Sequence, residues 1–296
     1  MRMWLGLFLL LGCRISSARL ERRDFNDGHG GAGPGLAVIG DSISTGVLSD
    51  THFGQSLPLP YTTELLRALF TGFNPVAFQD QFSDLTKSFA ATDEDWGLRG
   101  YIATKEGFDH ASSIPVYMGA KFGGRLVNVS GMLDRLQTQY NQAGKVPEYV
   151  SVLVGANDFC ESRGPEDFEG EYVSVLGAIM QVHPHATLLV GYIPDVPSLA
   201  QHQHRYGPFF SCRTTRRVFC PPLFLEENAG SARLAAFNAA IERACEKAVQ
   251  KNGFAGRLEL VRGTQFPLEE SDLAFDCFHP SERLQRKLAT AMGEGL

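Results

Sequence analysis

The stretch VIGDSISTG, residues 38–46, is an apolar run that halts at Gly-Asp-Ser and continues with small and polar residues. Read as the end of a buried strand, it opens an α/β domain and presents Ser42 where the chain leaves the sheet. By itself Ser42 is an ordinary turn or helix N-cap serine, whose hydroxyl accepts a backbone N–H. Whether it is more depends on the rest of the chain.

Downstream, short apolar runs alternate with longer segments of helical period. Candidate strands are 36–39, 125–129, 149–154, 187–192 and 257–261, several of them dense in Val, Ile and Leu as buried parallel strands are. Between them, Thr62-Thr63-Glu64 can cap LLRALF, 132–140 and 167–182 repeat apolar positions at helical spacing, and Ser231 begins a long pattern that ends in Asn-Gly. Ser281 begins the last helix. This alternation predicts an α/β fold, a three-layer αβα sandwich around a flavodoxin-like parallel sheet of about five strands. Ligands of such sheets bind beyond the carboxyl ends of the strands.

With 296 residues, 44% of them hydrophobic and 20% charged, the chain has the composition of an ordinary globular protein. Its 27 basic against 33 acidic residues, a formal charge of -6, leave no concentrated positive face for nucleic acid. The N-terminal WLGLFLLLG is too short for a membrane span and suits the core of a secretory signal, with Ser16 and Ala18 as the small residues before a cut. The rival reading is a bacterial lipobox at Leu10-Leu11-Gly12-Cys13, which would tether the protein to a membrane through a lipidated Cys13. Simple secretion is preferred, because a single Arg precedes the apolar run. The expected organisation is a signal peptide over 1–18, a flexible leader over 19–35 and one folded domain over 36–296. Two motifs in the leader fail on context: the glycines at 31–35 precede the first strand, whereas a dinucleotide loop follows one, and His29-Gly30-Gly31 lies ahead of where a lipase oxyanion loop belongs.

Six cysteines fit an exported protein. Without Cys13 five remain, an odd number that leaves a free thiol or an intermolecular bridge. Cys212 and Cys220 bracket an Arg- and Pro-rich loop that one or both are expected to staple, and no pair has the C-x-x-C spacing of a zinc site.

Polar residues gather where four of the elements end or begin. Gly40-Asp41-Ser42 follows the first candidate strand, Ser130-Gly131 the second and Gly155-Ala156-Asn157-Asp158 the third, while Asp276-Cys277-Phe278-His279-Pro280 precedes the last helix. These blocks, GDSIS, NVSG, GAND and DCFHP, resemble in order those of the SGNH or GDSL hydrolases of esters and acylated glycans, from about Gly35 to the C-terminus. The resemblance implies Ser42 as nucleophile, His279 as the base that takes its proton, and Asp276 as the group that orients the imidazole. It implies an oxyanion hole from the backbone N–H groups of Ser42 and Gly131 and the amide of Asn157, with Asp41 and Asp158 in support. Gly123 and Gly124, a few residues upstream, compete with Gly131 for the glycine block.

Singly, each of these residues has an ordinary structural role as a cap or turn; four blocks in order argue for the catalytic one. Asn128-Val129-Ser130 spells a glycosylation sequon, and a glycan there would crowd the proposed site, so Asn128 is expected to be unmodified. His202 and His204 have no third ligand at metal spacing and read as loop residues. Cys277 reads as buried or disulfide-bonded. Phe89, Trp96, Tyr101 and Phe108 form either a substrate wall or part of the core. VLVGANDFC and DCFHP are most similar to the secreted branch of the family that includes lipases and phospholipase B-like enzymes. The expectation is a metal-independent serine esterase or lipase without cofactor, acting on a lipid or other carboxylic ester, with transient contact to lipid surfaces. A carbohydrate O-acetyl esterase with the same residues and a non-catalytic binding module are the alternatives.

Overall fold

In the computed structural model the segment 36–39 lies in strand β1 (Gly33–Gly40), whose Leu36, Ala37, Val38 and Ile39 are all fully buried. A continuous apolar run suits a strand covered on both faces. Around it stand β2 (Val116–Met118), β3 (Pro147–Leu153), β4 (Thr187–Gly191) and β5 (Arg257–Val261), all parallel, in the order β2-β1-β3-β4-β5. The structure describes residues 33–49, 51, 53, 63, 67, 85–161, 163–205, 211–221 and 227–296. The expected signal peptide, Cys13 and most of the leader lie outside them, as does the expected helix from Thr62 except for Thr63 and Arg67, both helical. The first strand begins at Gly33, inside the stretch expected to be leader.

Helices flank the sheet in a three-layer αβα arrangement. These are α1 (Leu98–Glu106), α2 (Val129–Ala143), the single turn α3 (Ala156–Phe159), α4 (Pro165–Val182), α5 (Cys212–Phe219), α6 (Glu227–Asn252) and α7 (Glu282–Glu294). Helix α4 packs along α6 and against α2, while α1 packs against α7. Phe159, Phe168 and Phe237 form an aromatic knot among α3, α4 and α6, with ring centroids 4.7–5.8 Å apart. The strand order reverses direction between β1 and β3, so the crevice for a ligand opens at the carboxyl ends of those two strands.

The sequence reading needs correction in three places. Residues 125–129 are not a strand: Leu126–Asn128 form a single 3-10 turn that runs into α2. Val127 is 59% exposed while Leu126, Val129, Met132, Leu133 and Leu136 are buried, a helical stripe that the β-branched valines obscured. The second strand is instead the three-residue β2, too short to leave a periodic signal. The segment between Cys212 and Cys220 is the helix α5, capped by the Ser211 side chain, and not a loop. The long helix begins at Glu227, ahead of Ser231. Phe89 is wholly buried and Trp96 packs against the core beneath the Arg286 guanidinium, whereas Phe108 is exposed.

Candidate active site

Strand β1 delivers Gly40 to a place with no room for a side chain. A Cβ there would lie 2.1 Å from Ser44 Oγ and 2.8 Å from the Leu153 carbonyl of β3. The chain then turns tightly: Asp41 Oδ1 accepts the Ile43 N–H (3.0 Å), Thr45 N–H donates to Asp41 O, and Val47 N–H donates to Ser42 O. Ser42 sits in this turn, 6% exposed.

The segment after β2 continues along β1, Gly119 N–H donating to Val38 O and Lys121 N–H to Gly40 O. It ends in a turn at Gly123 and Gly124, the former at φ +62°. A Cβ on Gly124 would meet Gly40 O at 2.9 Å and Met132 Cε at 2.6 Å. The third block closes on this turn. Asn157 Nδ2 donates to Gly124 O (3.1 Å), and Asp158 Oδ2 accepts the Leu126 N–H (3.2 Å) while Oδ1 faces Arg163. Two consecutive side chains thus fasten the 124–126 segment. The glycine packed against the end of β1 is Gly124; Gly131 stands exposed in the first turn of α2, with open space where its side chain would be. Asn128 of the sequon is half-buried, and its Oδ1 accepts the Arg125 N–H (3.1 Å).

The fourth block is a buried turn between β5 and α7. Asp276 Oδ2 accepts His279 Nδ1–H at 2.6 Å, and Oδ1 accepts the backbone N–H groups of Phe278 (3.0 Å) and His279 (2.9 Å). This pairing makes Nε2 the basic nitrogen of the ring. Phe122, Phe219 and Phe278 surround the imidazole with centroids 5.3–5.6 Å from its own. Phe122 belongs to the segment after β2, so the histidine and the strand ends share a neighbour. Helix α7 supplies a second link: Gln285 Nε2 donates to Ile43 O (2.9 Å), and Glu282 N–H donates to Ser49 O.

Burial governs the carboxylates. Loss of water raises Asp41 to about 7, against the Ile43 N–H and the charge of His279, which oppose it. Burial likewise pushes Asp158 up to about 6 despite Leu126 N–H and Arg163. Burial would also raise Asp276, but the charge of His279 and the hydrogen bonds from its ring and from two backbone N–H groups outweigh that effect, so its pKa falls below the usual value.

Two disulfides bracket the site. Cys160, just past Asp158, is bonded to Cys220, and Cys277, between Asp276 and His279, is bonded to Cys212. Cys245 is a free, buried thiol. Sequence reasoning missed Gln285 and two arginines: Arg233, which donates to the carbonyls of Phe159, Glu161 and Arg163, and Arg216, which reaches the carbonyls of Cys277 and His202. No spacing signal marks them, because each acts across a long stretch of chain. His202 has Nε2 at 2.6 Å from Leu268 O, and His204 packs on Phe53. Among the described residues no three His, Cys, Asp or Glu side chains converge as metal ligands, and no helix is long and apolar enough to cross a membrane.

The model of the GDSL-like Lipase/Acylhydrolase family matches residues 38–287. Among solved structures, the chain is similar to TesA at 17% identity, covering 88% of this chain and 97% of that one with a TM-score of 0.45. It is similar to the psychrotrophic esterase EstA from Pseudoalteromonas sp. at 13% identity, covering 89% and 96% with a TM-score of 0.45. A family two carbohydrate esterase from Clostridium thermocellum is 15% identical, with 90% of this chain and 63% of that one covered and a TM-score of 0.48. No curated protein matches the chain.

Proposed function

The chain belongs to the GDSL-like lipase/acylhydrolase family, and from that premise we propose that it is a secreted serine esterase that cleaves carboxylic esters, lipid or phospholipid acyl esters foremost, through an acyl-enzyme on Ser42. The observation that carries this reading is the buried Asp276–His279 pair, whose 2.6 Å bond through Nδ1 sets Nε2 as a base.

In the proposed reaction His279 Nε2 takes the Ser42 hydroxyl proton as Oγ attacks the acyl carbonyl. The imidazolium is stabilised by Asp276, which stays ionised. Collapse of the tetrahedral intermediate breaks the ester C–O bond, and the alcohol leaves with the proton from His279. Water then adds to the acyl carbon as it gives a proton to His279, and collapse of this second tetrahedral intermediate breaks the bond to Oγ, releases the acid and returns that proton from His279 to Ser42. The oxyanion is assigned to the backbone N–H of Ser42 and to the second N–H of the Asn157 amide, whose first is bonded to Gly124 O. We assign the glycine contribution, expected at Gly131, to the Gly123 N–H in the turn beside Gly40, because the Gly124 N–H is already given to Lys121 O. Asp158 supports the site by holding Leu126, and Asp41 by shaping the turn at Ile43.

The ring of Phe122, Phe219 and Phe278 about His279 favours an apolar acyl or alcohol group over a sugar. Two disulfides and the apolar N-terminal segment support export. The test is hydrolysis of p-nitrophenyl acetate, butyrate and palmitate, with fluorophosphonate labelling, by the wild type and Ser42→Ala. Turnover and labelling by the wild type alone are expected, with the longer acyl chains preferred. A folded wild type that neither turns over nor is labelled would return Ser42 to a structural cap, and activity confined to the acetyl ester would transfer the assignment to an O-acetyl esterase.

A further inference from the structure

Cys277 has a left-handed backbone, φ +60°, shared among the described non-glycine residues only with Leu48. For an L-residue this conformation is disfavoured by a factor of about 5–30 in population. It nonetheless occupies the turn that lets one Asp276 carboxylate accept three N–H groups, two from the backbone and one from the His279 ring. Bonds within the turn, among them Cys277 N–H to Ala274 O (3.1 Å) and Ala274 N–H to His279 O (2.8 Å), are joined by contacts from outside it.

Helix α5 bears on that turn in three ways. Cys212, at its start, is disulfide-bonded to Cys277. Arg216, only 2% exposed, donates through Nε to the Cys277 carbonyl (3.4 Å) and through its terminal nitrogen to the His202 carbonyl. Phe219 stacks on Phe278 at 5.4 Å with the ring planes 19° apart, and meets the His279 ring edge-on at 5.3 Å. The far end of α5 is fixed as well, through the Cys160–Cys220 bond to the segment that follows Asn157 and Asp158.

We propose that α5 is the splint that keeps the left-handed peptide at Cys277 in place, and that Arg216 is a positioning residue acting on the ester hydrolysis through His279. This inference rests on the reading of Asp276 and His279 as the acid–base pair. A disulfide that merely stabilised the fold would be indifferent to the backbone preference of residue 277; a splint would not, because glycine adopts a left-handed conformation at little cost.

The experiment therefore compares Cys212→Ala/Cys277→Ala with Cys212→Ala/Cys277→Gly, reading kcat and KM on p-nitrophenyl butyrate and, independently of turnover, the downfield proton resonance of the His279 Nδ1–H bonded to Asp276. The alanine pair is expected to lose about tenfold in kcat with little change in KM and to weaken the resonance, and the glycine pair to recover most of both. Arg216→Met is expected to lower kcat without raising KM, and Arg216→Lys, which keeps a donor for a carbonyl, to restore part of it. Alanine and glycine pairs that behave alike in both readouts overturn the proposal, whether both keep activity or both lose it. If the wild type shows the resonance but no turnover, the esterase reading fails, and the resonances of the two double variants still decide whether α5 holds the turn.

Discussion

The turn that carries Ser42 hangs from β1, a strand paired with β2 on one side and β3 on the other, whereas the turn that carries His279 belongs to no strand of the sheet. The first is held by register: Ile39 lies opposite Val152 and Gly40 opposite Leu153, and the tight packing of Gly40 leaves Ser42 one course to follow. The second, with its left-handed peptide at Cys277, is held by a carboxylate serving three N–H groups, a disulfide and a buried arginine. On the proposed roles, the nucleophile's turn rests chiefly on sheet register and packing, with Asp41 and Gln285 binding Ile43, while the base's turn rests on a local framework of polar and covalent contacts. Variants on the two sides should therefore fail differently.

The largest effect is expected from Ser42→Ala, which should lower kcat by about 10⁴–10⁶-fold while leaving thermal unfolding nearly unchanged, since the hydroxyl contributes chemistry and not support. Retention of more than a small residue of activity would move the nucleophile elsewhere. Asp276→Asn, on the other side, is expected to cost about 10⁴-fold in kcat by favouring the wrong imidazole tautomer. Unlike Ser42→Ala it should also lower the melting temperature, because the buried turn loses a charged acceptor. Equal melting temperatures for the two variants would mean that the two turns are held alike.

Asp41 tests the sheet-borne turn by pH. Its carboxyl titrates at about 7 in the folded chain against 3.8 for the ordinary group, so between these values the folded protein binds a proton that the unfolded chain has released. Stability must then fall as pH rises from about 4 to 7, by up to about 4 kcal/mol for this group. Asp41→Asn keeps an acceptor for Ile43 N–H and should abolish that share of the slope, making the variant the more stable protein at pH 8. Asp158, raised to about 6, leaves a smaller slope of the same sign. Urea unfolding at pH 5 and pH 8 measures both, and parallel curves for wild type and variant would show that Asp41 is ionised throughout.

Asn157→Ala removes a proposed oxyanion donor together with the bond to Gly124 O, and about 10²–10³-fold in kcat should go with it. The smallest effect belongs to Gly131→Ala. On an exposed helical position the change should stabilise by up to about 1 kcal/mol and leave kcat untouched. A large loss of turnover there would return the oxyanion role to Gly131.

The same contrast explains what the sequence disclosed. Buried apolar strands and amphipathic helices leave periodic traces, so β1, β3, β4, β5 and the helices from 132, 167 and 281 were legible, as were the polar residues that follow β1 and β3 and precede the last helix. β2 was not, because Val116–Met118 is too short for a period, and the valines of 125–129 imitated a strand where spacing of three made a helix. The packing of Gly124 against Gly40 and its bond from Asn157 were hidden for the same reason: NVSG looked like a strand end once 125–129 looked like a strand. The framework of the second turn was the least legible part. Disulfide partners 60 and 65 residues apart, and the reach of Arg216 to the Cys277 carbonyl, depend on how distant segments meet.

Those two disulfides interleave, one joining Cys160 to Cys220 and the other Cys212 to Cys277. A single proteolytic cut anywhere between Cys160 and Cys277 separates at least one bonded pair onto different fragments, so the fragments stay covalently joined. Limited digestion within that stretch would yield a two-chain protein of unchanged mobility under non-reducing electrophoresis, splitting into two bands only after reduction. Nicked in this way, the polypeptide would still keep the segments bearing Asn157 and His279 within one covalent molecule.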